Sequence, residues 1–373
     1  MKNTISWDIF CKVVDNFGDI GVCWRLSKQL AHEYGLPIRL WVDDLNVAAK
    51  LLPNLNTSLS SQHMHGVEVR QWPQDEQAFA SIQPAEVVIE AFACDLPQTY
   101  VANMAKSKPI WLNLEYLSAE KWVDAFHAQH SIHPATGLKK TFFFPGFSAN
   151  TGGLIREQGL SQERTTFNKR PSSLWQSLNV KLQPDALNVS LFCYPHAPIN
   201  SLLESMAQGS QAIQLFVPST TILPKLAQYF GKSNLSIGES ASRGQLSVTV
   251  LPFLSQDDYD KLLWACDLNF VRGEDSWIRA LWSARPFIWQ TYPQDEDLHL
   301  IKLKAFLAVY TEDDNALSQL NQAWLDAEIT PALWDAIVLD LAKMQKHAEK
   351  QTDKFEKQAD LAAKLLSFTK NQV

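Results

Sequence analysis

The fold is decided by residues 267–286, DLNFVRGEDSWIRALWSARP, which combine a strand pattern, a short polar loop and a helix pattern. Residues 267–271 are mostly apolar and predict a buried strand. From Ser276 to Ala284 apolar or small side chains recur at helical spacing, and Pro286 follows as a stop signal. Serine is a residue type that caps helices. This strand, loop and helix predict an α/β protein.

The loop of this unit, residues 272–276, has the composition of a phosphate-binding turn. A helix N-terminus offers free backbone N–H groups to an anion, and Arg272 adds a fixed cation. Glu274 and Asp275 would repel a phosphate, so we expect them to accept hydrogen bonds from nearby hydroxyl or backbone N–H groups. An ordinary turn capped by Ser276 explains the same run equally well.

Composition limits the class of protein. A chain of 373 residues is long enough for two domains, and its 46% hydrophobic and 20% charged residues describe a soluble globular protein. The formal charge of -7 and the lack of a basic run argue against nucleic-acid binding. Five scattered cysteines suit reduced thiols in the cytoplasm, and no apolar stretch predicts a membrane span.

Two series of strand patterns alternate with helix patterns along the chain, which predicts two Rossmann-like domains. The strands of the first series are expected at 7–14, 37–42, 67–72, 85–93 and 109–114, and those of the second at 188–194, 212–217, 246–253, 267–271 and 286–292. The predicted organisation is an N-terminal domain at 1–155, a linker at 156–184 and a C-terminal domain at 185–330. Ligands of such sheets bind at the carboxyl ends of the strands, so we expect the site in a cleft between the domains.

The last segment, residues 331–373, has a long helical pattern with interspersed charges. A solvated helix that packs one apolar stripe on its own protein is a simpler interpretation than a partner-binding helix. We expect this segment to pack back on the N-terminal domain.

The loop after the first predicted strand carries two carboxylates, Asp15 and Asp19, on either side of Gly18. It lacks the G-x-G-x-x-G fingerprint of dinucleotide-binding proteins. Such a pair of acids can hold a cationic acceptor and accept its proton as general base. Alternatively, Asp19 caps the following helix and Asp15 fixes the turn.

An acidic triplet, Asp295-Glu296-Asp297, has the acid-x-acid form found in metal-dependent glycosyltransferases. Short acidic triplets are also common in solvated loops, and 312–314 is another one in this chain. We therefore expect no bound metal and no cofactor.

Five motifs together resemble one family, the EarP protein-arginine rhamnosyltransferases that modify translation elongation factor P. They are FCKVVDNFGDIGVCWRL at 10–26, NLEYLS at 113–118, FFPGF at 143–147, GGLIRE at 152–157 and the 272–286 segment. The resemblance implies a GT-B glycosyltransferase fold of two Rossmann-like domains facing a central cleft. It also implies an inverting transfer of rhamnose from TDP-β-L-rhamnose to an arginine side chain of elongation factor P.

The resemblance further implies roles for individual residues. Asp19 matches the general base, and Asp15 its acidic neighbour that holds the guanidinium; Glu274 also matches a catalytic position. The positions matching the donor site are Asn16, Phe17, Gly18, Phe192, Tyr194, Phe253, Gln256, Arg272, Glu274, Asp275 and Ser276. Glu115 and Tyr116 match the acceptor side together with Asp15. Tyr259 stands where some relatives have phenylalanine.

Two other functions fit the same residues. A GT-B glycosyltransferase could use a small molecule or a glycan as acceptor. A non-catalytic protein could bind a TDP-sugar or the translation factor without turning it over.

Overall fold

The computed structural model describes residues 5–14, 17–311 and 316–372. The chain divides into two compact units, one formed by Met1–Gln158 with Gln358–Val373 and the other by Gly159–Lys357. Each unit has one mainly parallel sheet with helices packed on it. The predicted α/β class is therefore confirmed.

The sheet of the first unit has eight strands within the described ranges. They are β1 Trp7–Cys11, β2 Ile38–Val42, β3 Ser61–Met64, β4 Val67–Gln71, β5 Val87–Ala91, β6 Ile110–Leu114, β7 His130–Ile132 and β8 Lys139–Phe143. Their spatial order is β3-β4-β2-β1-β5-β6-β8-β7. The six inner strands run parallel, and β3 and β7 are antiparallel edge strands. β1 is thus central, and the loop that follows it opens at the carboxyl edge of the sheet.

The first helix, α1, follows β1 and spans Gly18–Tyr34. It ends at Gly35, whose φ of 64° is left-handed and suits glycine, and the Gly35 N–H donates to the Ala31 carbonyl at 3.1 Å. Further helices of this unit are α2 Leu45–Leu51, α3 Gln98–Ser107 and α4 Val123–Phe126, with a 3₁₀ helix at Glu76–Ser81.

An aromatic cluster fixes the central strand of the first unit. Phe10 of β1 stacks on Trp41 with ring centroids 5.6 Å apart and meets Tyr100 edge-on at 4.8 Å. All three side chains are buried. Fully burying a side chain of this size contributes about 1.5–3 kcal/mol to folding. The cluster therefore holds β1 firmly just before the loop that leads to Asp19 in the first turn of α1.

The sheet of the second unit has six strands in the described part of the chain, in the spatial order β11-β12-β10-β9-β13-β14. They are β9 Leu187–Leu191, β10 Ile213–Pro218, β11 Ser240–Arg243, β12 Leu246–Leu251, β13 Leu268–Arg272 and β14 Phe287–Gln290. Only β11 pairs antiparallel among these strands. The loops after β9, β13 and β14 consequently lie side by side at one edge.

Helices and one further 3₁₀ helix, Asp295–Asp297, connect and cover these strands. The helices are α5 Leu160–Asn168, α6 Ser172–Ser177, α7 Ile199–Gln208, α8 Leu223–Tyr229, α9 Gln256–Ala265, α10 Asp275–Trp282, α11 Leu298–Tyr310, α12 Ala316–Leu325 and α13 Pro331–Glu356. The chain then returns to the first unit as α14, Leu361–Lys370. No helix in the described ranges is long and apolar enough to cross a membrane.

The segment expected as a linker, 156–184, contains α5 and α6 and belongs mostly to the second unit. Leu174 and Trp175 are buried there, and the Trp175 ring lies 4.5 Å from that of Phe216. The mostly polar composition of the segment concealed these two anchoring side chains.

The helical pattern of the tail is two helices that belong to different units. Thr330 caps α13 by accepting the Leu333 N–H at 3.2 Å, and Asp360 caps α14 by accepting the Ala363 N–H at 3.0 Å. α13 packs on α7, α10 and α12 of the second unit, whereas α14 packs on α1 of the first. Only the last part of the tail therefore packs on the N-terminal unit, because the capping aspartate starts a new helix.

Candidate active site

Asp19 lies in the first turn of α1, at the carboxyl edge of the first sheet, and is 1% exposed. Its Oδ2 accepts the Val14 N–H at 2.8 Å, and its Oδ1 accepts the Tyr116 hydroxyl at 3.1 Å. The N-cap position of α1 is Phe17, so Asp19 does not cap the helix. The carboxylate instead joins the loop after β1 to the loop after β6, which fixes its orientation.

Tyr116 makes a second contact, through its ring. It stacks on Phe92 with centroids 4.3 Å apart and an interplanar angle of 15°. Tyr116 is 37% exposed, so the ring reaches the surface while its hydroxyl points to Asp19. The neighbouring Glu115 accepts a hydrogen bond from the Asn113 side-chain amide. The structure thus brings Tyr116 of the expected acceptor residues directly to Asp19.

The other residues expected around Asp19 are only partly described. Phe17 precedes α1, and the Lys50 ammonium lies 5.9 Å from its ring centroid. Gly18 is the first residue of the helix. Asp15 and Asn16 lie outside the described residues.

A buried thiol, Cys11, ends β1 close to this carboxylate. A hydrogen bond with Cys23 and burial raise the pKa of the Cys11 thiol well above its usual value, and the negative charge of Asp19 adds to the effect. The thiol is therefore protonated at neutral pH. Cys11 therefore offers no thiolate at this edge of the sheet.

In the second unit, Arg272 ends β13 and contacts two aromatic side chains that follow β9. Its guanidinium carbon lies 4.4 Å from the ring centroid of Phe192 and 4.6 Å from that of Tyr194. A guanidinium over an aromatic face is attracted by the ring quadrupole. These contacts bring three of the expected donor residues into one cluster at the carboxyl edge of the sheet.

Ser276 lies one position inside α10, and the N-cap position is Glu274. The expectation that Ser276 caps the helix is therefore wrong. Gly273 has a φ of 61° and turns the chain tightly, so the Ser276 hydroxyl reaches back to Arg272. It accepts the Arg272 N–H at 3.1 Å and donates to the Arg272 carbonyl. The serine thus closes the loop that presents the arginine.

Two side chains of α9 contact the residues that follow β13 and β9. The Gln256 amide donates to Asp275 Oδ2 at 3.2 Å, so Asp275 has a side-chain partner within the protein. Tyr259 packs edge-on against Phe192 with centroids 5.5 Å apart, and burial raises the pKa of its hydroxyl. Phe253 lies in the loop between β12 and α9 and is half-buried.

Sequence reasoning missed two residues of this cluster. His196 stacks on Tyr194 with centroids 5.6 Å apart and an angle of 10°. Gln290, the last residue of β14, contacts the backbone of Tyr194 and the ring of His196. The sequence feature that could have identified Gln290 is a polar side chain at the carboxyl end of a buried strand.

The chain matches the family model described as "Elongation-Factor P (EF-P) rhamnosyltransferase EarP" over residues 7–370. A protein-arginine rhamnosyltransferase of Pseudomonas putida is 45% identical over 379 residues, which cover 99% of both chains. The enzyme of the same name from Pseudomonas aeruginosa is 43% identical and covers 97% of this chain and 98% of its own. This chain belongs to the EarP family. It is an enzyme, a glycosyltransferase.

A solved structure agrees with this EarP assignment. It is an EarP studied for arginine glycosylation of translation elongation factor EF-P; it is 33% identical and covers 99% of this chain and 100% of its own, with a TM-score of 0.70. A UDP-glucosyltransferase of Polygonum tinctorium matches in fold alone, at 11% identity and a TM-score of 0.56 over 99% of both chains. The EarP fold is thus the GT-B fold that the resemblance implied.

The described residues of this chain contain no group of three or more His, Cys, Asp or Glu side chains that could hold a metal ion. The acidic triplet Asp295–Asp297 forms a 3₁₀ helix after β14. The expectation that no metal is used stays a prediction.

Proposed function

We propose that this protein transfers L-rhamnose from TDP-β-L-rhamnose to an arginine side chain of elongation factor P, with inversion at the anomeric carbon. The observation that carries the proposal is Asp19, a buried carboxylate held by the Val14 N–H and the Tyr116 hydroxyl. The family model and the named relatives support the sugar and the acceptor. A translation factor as acceptor places the reaction in the cytoplasm.

The acceptor requires a base. An arginine guanidinium has a pKa above about 12 and no free nucleophilic electron pair at neutral pH. Asp19 accepts a guanidinium proton as the C–N bond forms, while the hydroxyl of Tyr116 keeps its carboxylate in a fixed orientation. Asp15 holds the cation beforehand, and Glu115 and Tyr116 contact the acceptor.

The donor is bound by the second unit. Phe192 and Phe253 flank the thymine, and Gln256 and Arg272 lie beside it. Tyr194, Glu274, Asp275 and Ser276 contact the ribose and the diphosphate, and Glu274 also takes part in catalysis. The residues 16–18 shape the site from the first unit.

Departure of TDP concentrates negative charge on the diphosphate. Arg272 and the backbone N–H groups at the start of α10 stabilise that charge without a metal ion. A single displacement by the arginine nitrogen then inverts the anomeric carbon and releases TDP.

The proposal is tested by mixing the protein with TDP-β-L-rhamnose and elongation factor P and recording the intact mass of the factor. We expect the addition of one deoxyhexose, which fragmentation assigns to an arginine. An unmodified factor, under conditions where the protein binds the donor, would show that the acceptor is another molecule or that the chain only binds.

A further inference from the structure

Gln290 occupies the point where two loops of the second unit meet. It is the last residue of β14 and only 6% exposed. Its Cα is paired with that of Arg272 in the register between β13 and β14. The Gln290 side chain therefore starts beside the residue whose guanidinium stacks on Phe192 and Tyr194.

Three contacts connect Gln290 to the loops that carry Tyr194, His196 and Gly273. Its Oε1 accepts the Tyr194 N–H at 2.8 Å, and its backbone carbonyl accepts the Gly273 N–H at 3.3 Å. Its Nε2 lies 3.2 Å from Nε2 of His196. One residue thus joins the loop after β9 to the loop after β13.

The amide orientation of Gln290 follows from these partners. A backbone N–H requires an acceptor, so the side-chain oxygen faces Tyr194 and the NH₂ group faces His196. Because the NH₂ group only donates, His196 must accept through Nε2 and carry its proton on Nδ1.

We propose that Gln290 is a positioning residue of the donor site: it holds Tyr194 and neutral His196 in the stack against which Arg272 packs. This inference depends on the proposed function, since it assigns a role within the TDP-rhamnose site. Gln290 acts through the backbone of Tyr194 and the ring of His196.

The charged groups around His196 favour its neutral form. Burial lowers the pKa of the imidazole, and electrostatic interactions with Lys225, His299 and Arg272 lower it further. Lys225 reaches this loop from α8 and donates to the Pro195 carbonyl at 2.5 Å. A second proton on His196 would remove the acceptor that the Gln290 amide needs.

The test compares Gln290→Leu with a matched control, Gln214→Leu. Gln214 is also buried, accepts the Gln183 N–H at 2.7 Å and donates to the Lys181 carbonyl at 3.1 Å, but it lies near the start of β10. Binding of TDP-β-L-rhamnose is measured by calorimetry. Leucine cannot accept the Tyr194 N–H, so the loop that carries Tyr194 and His196 loses its fixed position, and we expect Gln290→Leu to bind TDP-β-L-rhamnose about five- to a hundredfold more weakly. Gln214→Leu is expected to bind like the wild type.

A second measurement observes His196 directly. In the wild type the ¹⁵N shifts of His196 should show the proton on Nδ1. In Gln290→Glu a carboxylate oxygen replaces the NH₂ group, so the pKa of His196 should rise while the Tyr194 N–H keeps its acceptor. In Gln290→Leu the donor to His196 is lost, so the preference for the Nδ1 proton should weaken, whereas a glutamine that did not hold His196 would leave its ¹⁵N shifts unchanged.

The outcomes separate the two proposals. If the wild type does not bind TDP-rhamnose, the proposed function fails and the donor role of Gln290 fails with it. If the wild type binds and Gln290→Leu binds equally well, or if His196 carries its proton on Nε2, the inference about Gln290 alone is overturned.

Discussion

The guanidinium of Arg272 contacts the rings of both Phe192 and Tyr194. The geometry uses the planar shape of arginine as well as its charge, because a guanidinium stacks on an aromatic face and an ammonium presents only a point charge. In the proposed reaction the same group stabilises the diphosphate. A substitution that keeps the charge of Arg272 but removes its planar guanidinium can therefore separate the effects of charge and stacking on donor binding.

We expect Arg272→Lys to weaken TDP-β-L-rhamnose binding by about five- to thirtyfold, since each lost cation–π contact is worth about 0.5–1 kcal/mol. Calorimetric titration measures the affinity. Arg243→Lys is the matched control, because Arg243 also lies over an aromatic ring, that of Tyr229 at 4.9 Å, outside the donor cluster. Equal affinities of Arg272→Lys and the wild type would show that stacking has no part in donor binding.

The hydroxyl of Tyr116 donates to Asp19, and Tyr116 is not among the residues proposed to bind the donor. Tyr116→Phe keeps the stack on Phe92 and removes the hydrogen bond. A hydrogen bond to a charged group contributes about 1.5–3 kcal/mol, so we expect kcat to fall about tenfold or more with donor affinity unchanged.

Single-turnover rhamnosylation and donor titration together measure the effect of Tyr116→Phe. Tyr229→Phe is its control, since the Tyr229 hydroxyl donates to Glu204 at 2.8 Å. Neither Tyr229 nor Glu204 is among the residues proposed to bind the donor or the acceptor. An unchanged kcat in Tyr116→Phe would show that the Tyr116 hydroxyl does not orient the base.

At the residue scale the sequence predicted which polar residues follow the strands but not their partners. Asp19 and Tyr116 are 97 positions apart, and only the order β1-β5-β6 brings their loops together. Ser276 had the residue type of a cap, yet after the left-handed turn at Gly273 the N-cap position is Glu274 and the helix begins at Asp275. Asp15 and Asn16 lie outside the described residues, so their predicted roles stay predictions.

At the scale of the elements, a buried ion pair holds α9 against α10. Arg279 Nε and a terminal nitrogen of its guanidinium donate to the two carboxylate oxygens of Asp260 at 3.0 and 2.6 Å. Both side chains are buried, with exposures of 2% and 4%. The helix that begins the proposed diphosphate site is therefore anchored by a bidentate contact.

Arg279→Met leaves the Asp260 carboxylate buried without its cation. Breaking a buried pair in this way costs about 3–5 kcal/mol, so we expect a clear loss in the free energy of unfolding, measured with urea. Lys343→Met is the comparison, because its pair with Asp340 is exposed and worth about 1 kcal/mol or less. Equal losses in the two variants would contradict the anchoring role.

Element prediction succeeded where the pattern was strong. Every strand expected from an apolar run has a counterpart in the structure, because parallel strands are buried on both faces. The edge strands β3, SQHM, β7, HSI, and β11, SASR, were missed because they are short, mostly polar and at least partly exposed. The inner strand β8, KKTFF, was missed because its two lysines and its threonine interrupt the apolar pattern. The helices α5 and α6 were missed because their sequences are also mostly polar.

At the scale of the whole molecule, the chain completes its first unit with its last helix. Leu361 and Leu365 of α14 are buried in that unit, and the Leu361 N–H donates to the Leu154 carbonyl at 2.9 Å. Lys364 donates to the Thr151 carbonyl at 2.6 Å. The first unit therefore depends on residues that follow the entire second unit.

Deleting residues 358–373 should destabilise the first unit by at least about 3 kcal/mol, since each of two buried leucines contributes about 1.5 kcal/mol or more. Hydrogen exchange distinguishes the units. Peptides from β1 and α1 should lose protection, while peptides from β9 and β13 keep it and TDP-rhamnose still binds. Equal loss of protection in both units would show that α14 does not belong to the first unit alone.

The role of Asp19 as general base is tested by comparing Asp19→Asn with the wild type in single-turnover rhamnosylation of elongation factor P, with TDP-rhamnose binding measured in parallel. Asp43→Asn is the matched control, because Asp43 also accepts a loop amide, the Val13 N–H at 2.8 Å, and has no proposed catalytic role. We expect Asp19→Asn to bind the donor nearly normally and to transfer no rhamnose, and Asp43→Asn to transfer it. Transfer by Asp19→Asn at the wild-type rate would contradict the assignment of Asp19 as the base.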